Sequence, residues 1–300
     1  MAVNNDEPVN PVQQAIQKEF NYEQAFSRTL GWVTEAELQR LRSTRIAIAG
    51  LGGVGGDHLL TLVRLGIGHF NISDLDMFEM ANFNRQAGAA MSTLGQLKCF
   101  KLEDMAKNIN PELHINTFPS GINLDNIDDF LYGVDVYVDC LDLFAIEIRE
   151  AIFKACEQRK IPVISAAPLG MGTSMICFKP GSMSYKRYFG WTNQEPLEKV
   201  MMFLVGLSPR PTVLKYIVDK TRIKLLNKKA PSTPMGIDLA AGVLCTNVLK
   251  LILQRGHVVT APRTLHFDAY LNTFRVLYRP LGFYNPLQRL ALWYVKRKCS

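Results

Sequence analysis

The sequence predicts an α/β fold: a Rossmann-like, mostly parallel sheet with helices on both faces, followed by an antiparallel C-terminal section. Three features point there. Apolar strand patterns alternate with helical ones from "RIAIAG" at residue 45 to "IPVISAAPLG" ending at residue 170, the alternation that winds crossover units into a parallel sheet. The first unit carries the glycine-rich turn "AGLGGVGG", residues 49 to 56, between strand and helix. Further on, "GTSMICFKP" and "TLHFDAYLNTFRVLYRP" look antiparallel, the second a hairpin with Asn272 at its turn.

The elements follow in order. Residues 1–19 are a polar, flexible tail. From Phe20 the chain turns helical, and Thr34 with Glu37 forms a capping box ahead of Leu38 and Leu41. "RIAIAG" is a buried strand, "GGDHLLTLVRLGIG" a helix and "HFNISDLD" the next strand. "LKCFKLEDMAKNINP" is a helix stopped by proline, "ELHINTFP" a strand and "NIDDFLYG" a short helix. "VDVYVDCLD", "FAIEIREAIFKACEQRK" and "IPVISAAPLG" continue as strand, helix, strand. Residues 20–180 thus form a nucleotide-binding core, and 181–283 a crossing segment, long helix and hairpin completing the same domain. Within that stretch, 181–233 is basic and proline-punctuated with poor periodicity after "LEKVMMFLVG", whereas "GIDLAAGVLCTNVLKLILQRG" is a long helix. Residues 284–300 are a basic, partly amphipathic helix with Pro286 in its first turn. Docking on the protein's own surface or a dimer partner is its plain reading, and membrane-surface contact the sharper one.

Composition narrows the function classes. With 48% hydrophobic and 20% charged residues the 300-residue chain is ordinary for a globular protein. A net charge of +7 permits an acidic or phosphorylated partner, nucleic acid among them, without requiring one. The six cysteines, at 99, 140, 156, 177, 245 and 299, form no Cys-x-x-Cys pair, so no zinc is expected. Most lie in apolar stretches, which suits core thiols in a reducing cytosol. The first residues have neither a basic start nor an apolar segment, and no run of 18 apolar residues occurs. A cytoplasmic protein without a transmembrane segment is expected.

The chemistry lies around the glycine turn. Gly50, Gly52, Gly53 and Gly55 match G-x-G-x-x-G, which by itself fits any dinucleotide or nucleotide phosphate. Asp74 follows about 20 residues on, where a Rossmann fold holds a ribose hydroxyl. An NAD-dependent oxidoreductase would need little more. Here, however, Asp76, Asn82, Arg85 and Gln86 come next, and Lys98 stands thirteen residues after Arg85. Ribose carboxylate, amides and two cations make a polyphosphate set, because cations offset the charge that develops on phosphates. Asp139 ends the fourth sheet strand and Asp142 lies beyond its carboxyl end, where a carboxylate can hold Mg²⁺ against a triphosphate. Singly, each of these could cap a helix or line a charged loop.

On these residues the chain resembles the ThiF/MoeB/HesA adenylyltransferases, relatives of the ubiquitin-activating enzymes. The family pattern appears as the Gly50–Gly55 turn, Asp74-Leu75-Asp76, Asn82-Phe83-Asn84-Arg85-Gln86, Lys98 and Asp139-Cys140-Leu141-Asp142. Upstream, "AFSRTLGW" is similar to the family's arginine-bearing helix, and the resemblance runs from about residue 20 to 280. It implies ATP-dependent adenylation of a substrate carboxylate on a peptide, a ubiquitin-like carrier or a small molecule. Arg85, Lys98 and, from the other subunit of a homodimer, Arg28 would offset phosphate charge. Asp142 would orient Mg²⁺, Asp74 the ribose, and Asn82 a phosphate or the metal shell. The chain departs from the zinc-binding members in lacking their cysteine pairs. It also has no cysteine between Phe178 and Leu244, where members that form a thioester carry one. The activated acyl group is therefore expected to pass to an external nucleophile. Two alternatives stand beside this: a non-catalytic ATP-binding adaptor of the same fold, and the NAD-dependent oxidoreductase.

Overall fold

The computed structural model describes residues 19–208, 212–223 and 230–299. The expected tail therefore lies outside the described residues up to position 18, as do short stretches of the crossing segment. The chain enters through α1 (Tyr22–Ala25), a 3-10 turn at Ser27–Thr29 and α2 (Glu35–Ser43). The capping box forms as read. The Glu37 N–H donates to Thr34 Oγ1 at 3.2 Å, and the Thr34 N–H donates to Glu37 Oε2 at 2.8 Å.

Strands β1 (Arg45–Ala49), β2 (His69–Ser73), β3 (His114–Phe118), β4 (Val136–Asp139) and β5 (Val163–Leu169) are joined by α3 (Gly55–Leu65), α4 (Lys98–Ile109), α5 (Ile127–Phe130) and α6 (Ile146–Arg159). They are all parallel. Strand β6 (Gly172–Phe178) then runs antiparallel to β5, and the hairpin β7 (Arg263–Asp268) and β8 (Thr273–Tyr278) extends the sheet. Asn272 sits at the hairpin turn with φ +50°, a left-handed position that asparagine tolerates. The eight strands order as β3-β2-β1-β4-β5-β6-β7-β8. The order reverses between β1 and β4, so a crevice opens outside their carboxyl ends.

Alternation along the strands splits the core into two layers. Ile46, Ile48, Val136 and Val138 face one layer with Leu59, Leu62 and Val63 of α3 and Leu102 of α4. Ala47, Ala49 and Tyr137 face the other, against Ile152 and Phe153 of α6. In the crossing segment, α7 (Tyr185–Phe189) and α8 (Pro196–Leu207) cover that second layer with Tyr188, Phe189 and Phe203. The long helix α9 (Pro234–Leu253) begins at a Thr233 cap on the Gly236 N–H and packs on β5, β6 and α3. By length and hydropathy it alone among the described helices could cross a membrane, although no run of 18 apolar residues interrupts the sequence. Its burial (56% of the apolar window) is that of a core helix. The last helix, α10 (Pro286–Cys299), packs on α8 with Leu292 buried and a Lys296–Glu198 ion pair, while Gln288 Nε2 donates to the Tyr188 carbonyl of α7 at 3.3 Å.

Candidate active site

The glycine turn leaves β1 at the reversal point and opens α3, so backbone N–H groups at a helix start face the crevice. Two of its glycines are required by space. Gly50 has φ +88°, and a Cβ there would lie 2.3 Å from the Cys140 carbonyl oxygen. At Gly55 a Cβ would lie 1.8 Å from the Gly50 oxygen. Gly52 and Gly53 are open: a Cβ would approach nothing nearer than Gln86 Nε2 at 3.8 Å and Ile237 Cδ1 at 3.5 Å. The tight glycines fold the turn, and the open ones leave it bare towards Gln86 and Arg85, whose Nε is 3.9 Å from the Gly53 Cβ position.

Asp74 anchors the turn. Its Oδ2 accepts the Leu51 N–H at 2.6 Å and its Oδ1 accepts the Asp76 N–H at 2.8 Å. Burial raises its carboxyl above the ordinary value, opposed by those two backbone donors and by the Lys98 charge. The following loop doubles back: the Lys98 N–H donates to the Asp76 carbonyl at 3.0 Å, and Met77 bridges to Leu97. This fold-back brings Lys98 Nζ to Asp76 Oδ2 at 3.1 Å, the lysine side chain 6% exposed and the aspartate 60%. Asn82 is buried and its Oδ1 caps the Glu79 N–H at 3.0 Å, fixing the turn that presents Arg85 and Gln86. Arg85 Nη1 is held by the Ala81 carbonyl at 2.8 Å and Asn84 Oδ1 at 2.9 Å. Gln86 Oε1 is buried without a hydrogen-bond partner among the described residues. The crossing segment closes this side, with Asn84 Nδ2 donating to the Ser232 carbonyl at 3.1 Å.

Asp142 is exposed beyond β4, its Oδ1 accepting the Phe144 N–H at 2.9 Å. Arg28 is exposed on the 3-10 turn before α2, and among the described residues no hydrogen bond or ion pair holds its side chain. Asp139 corrects the sequence reading. It was expected at the nucleotide, but strand alternation turns it into the second core layer. There both of its oxygens accept Arg149 Nε, at 3.2 and 3.0 Å, with both side chains almost wholly buried. Tyr137 adds its hydroxyl to Asp139 at 3.4 Å. Asp139 is structural.

Arg149 is the residue that sequence reasoning missed. Beyond Asp139, its Nη2 donates to the carbonyls of Leu141 at 2.6 Å and Asp142 at 3.0 Å, and its Nη1 to Leu143 at 3.3 Å. It therefore shapes the loop that carries Asp142. The available signal was position: Ile146, Arg149, Ile152 and Phe153 form one helical stripe, and an arginine in an apolar stripe requires a buried acid.

In the first turn of α3, Asp57 is half-buried and its Oδ2 lacks a partner among the described residues. Desolvation, then the Asp238 charge, pushes its carboxyl up to about 6. A folded value above the unfolded one means the folded state holds this proton more tightly. The penalty for ionising Asp57 is thus absent below pH ~4, builds through pH ~6 and is complete above. Asp57→Asn is expected to stabilise the protein by about 1 kcal/mol at pH 7.5, after discounting for partial exposure, and by nothing at pH 4. Urea unfolding at the two pH values checks this; equal shifts at both would refute it.

The ThiF family profile matches residues 26–280. The tRNA threonylcarbamoyladenosine dehydratase of Haemophilus influenzae is 34% identical over 151 residues, 50% of this chain and 57% of that protein. The molybdopterin-synthase adenylyltransferase of the same organism is 26% identical over 150 residues, 49% of this chain and 61% of that one. The match thus spans about three fifths of these relatives' length. The crystal structure of E. coli MccB with ATP superposes with a TM-score of 0.63 at 18% identity, covering 89% of this chain and 72% of that one, a likeness of fold.

Proposed function

Because the chain belongs to the ThiF family, we propose that it is an ATP-dependent adenylyltransferase acting on a carboxylate. The observation that carries the reading is one glycine turn with open Gly52 and Gly53, anchored by Asp74 and bordered by Arg85 and Gln86, with Lys98 paired to Asp76 two residues beyond Asp74. A substrate carboxylate oxygen attacks the α-phosphorus of ATP, a new O–P bond forms, and the bond to the β-phosphate oxygen breaks to release pyrophosphate. Arg85 and Lys98 offset the charge on the phosphates, worth most in a site of low dielectric. Asp74 takes the ribose hydroxyls on its remaining lone pairs, and Gln86 contributes a buried acceptor. The donor set fits Mg²⁺, which takes one or two carboxylates together with substrate phosphates; Asp142 would hold it. Bound there, Mg²⁺ would supply further charge neutralisation.

With no cysteine from Phe178 to Leu244, the acyl-adenylate passes to an external nucleophile. The full set of Asp74, Arg85, Lys98 and Asp142 favours catalysis over an adaptor, and the two cations favour ATP over NAD. Cysteine usage supports a cytoplasmic setting. Calorimetry should show MgATP binding without NADH binding, and ATP–pyrophosphate exchange should appear with a suitable carboxylate. NADH binding with no ATP binding would sink the reading.

We further propose a homodimer in which Arg28 of one subunit completes the other's site, since Arg28 is exposed outside the chain's own crevice elements. A two-fold interface places such a residue reciprocally. Mixing Arg28→Ala with Lys98→Ala subunits should restore part of the exchange activity from two inactive proteins. A mixture that stays inactive while subunits exchange would remove Arg28 from the site.

A further inference from the structure

The last 32 residues, from Ala269 on, contain six cations and no acid, so six of the chain's seven net positive charges arise there. Helix α10 lies within this stretch. One side of it is spent on the protein, through Leu292, Gln288 and the Lys296–Glu198 pair. The side turned away presents Leu287, Leu290, Trp293 and Tyr294, each 54–60% exposed. Leu287, Leu290 and Tyr294 follow i, i+3, i+7 and form one stripe. Arg289, Trp293 and Arg297 run along its flank, the Arg297 guanidinium 5.5 Å from the Trp293 ring centre. Leu281 and Tyr284, in the turn before the helix, are also exposed.

We propose that this outward face of α10 docks the protein on an anionic lipid surface. The chemistry selects that occupant. Leucines supply apolar area for the acyl boundary, and Trp293, Tyr284 and Tyr294 have apolar rings with polar tips suited to headgroup depth. Arg289 and Arg297 meet anionic headgroups, and no acid in the stretch repels them. The helix is already folded and held on α8, so docking carries no cost of ordering it. Association is reversible and salt-sensitive, since a single short stripe with two flanking arginines is a weak anchor. The inference does not depend on the adenylation reading.

The test is flotation of the full chain with vesicles of phosphatidylcholine alone or with phosphatidylglycerol added. Binding is expected on the phosphatidylglycerol vesicles and is expected to fall with salt. Leu290→Gln/Trp293→Gln should weaken it about tenfold or more, and Arg289→Gln/Arg297→Gln should weaken it similarly and flatten the salt dependence. In a Trp32→Phe background, which removes the other exposed indole, doxyl-labelled lipid should quench Trp293. Wild-type protein that fails to float with phosphatidylglycerol vesicles overturns the proposal, as does floating that both double variants leave unchanged. If the Leu290→Gln/Trp293→Gln change instead converts a sedimenting dimer to a monomer and vesicles capture nothing, a second copy covers the face and the proposal fails.

Discussion

Lys98→Ala should lower ATP–pyrophosphate exchange by about 10²–10³-fold while leaving the urea midpoint nearly unchanged. The two halves of that expectation come from the same geometry. Lys98 meets Asp76, a carboxylate 60% in water, so the pair contributes less than about 1 kcal/mol to stability. In the proposed reaction its value lies in the charge it offers a phosphate, where a lost donor is not replaced by solvent. Arg85→Ala should act in the same direction, because Arg85 is held by Ala81 and Asn84 beside the turn and is not part of the core. Full exchange activity in Lys98→Ala would exclude Lys98 from the phosphates, with Lys101 one helical turn later as the substitute to examine.

Arg149→Met should destabilise the fold by about 3–5 kcal/mol. Methionine fills much of the arginine's space beside Phe203, whose ring lies 4.4 Å from the guanidinium. It leaves Asp139 as an uncompensated charge in the core, and the carbonyls of Leu141, Asp142 and Leu143 lose their donor. Adding Asp139→Asn should recover part of the loss, because a neutral amide is far less costly to bury alone. Denaturant unfolding of the single and double variants distinguishes this from simple cavity formation, in which the second substitution would only add damage.

The parallel core was legible because each element carried its own local signal. Thr34 and Glu37 announced a cap, glycines flanked α3, and strands β1 to β5 were short apolar runs between turn residues. Asn272 marked the hairpin. Less was legible from 181 to 233: α7 is a five-residue helix, and the buried Val200, Met202, Phe203, Val205, Gly206 and Leu207 of α8 leave little polar contrast. The site divides along the same line. Residue order brought Asp74, Arg85 and Lys98 into view, because the fold-back from Met77 to Leu97 is local. Which face Asp139 takes depends on where the strand ends, and its neighbour Asp142, three residues on, emerges outside while Asp139 turns inward. Arg149 was hidden for a related reason. Its function is carried by carbonyl groups, which a sequence does not distinguish.

The Lys98–Asp76 pair has a consequence for the order of events in the protein's life. A cation with 6% of its side chain exposed would penalise folding if its first counter-charge were the nucleotide. Asp76 instead supplies that counter-charge from within the chain, and does so from a position where water can take its place at little cost. A phosphate that took the place of Asp76 at Lys98 would leave the cation compensated at every stage. Folding around Lys98 is thereby uncoupled from the supply of nucleotide, because its counter-charge is already part of the chain.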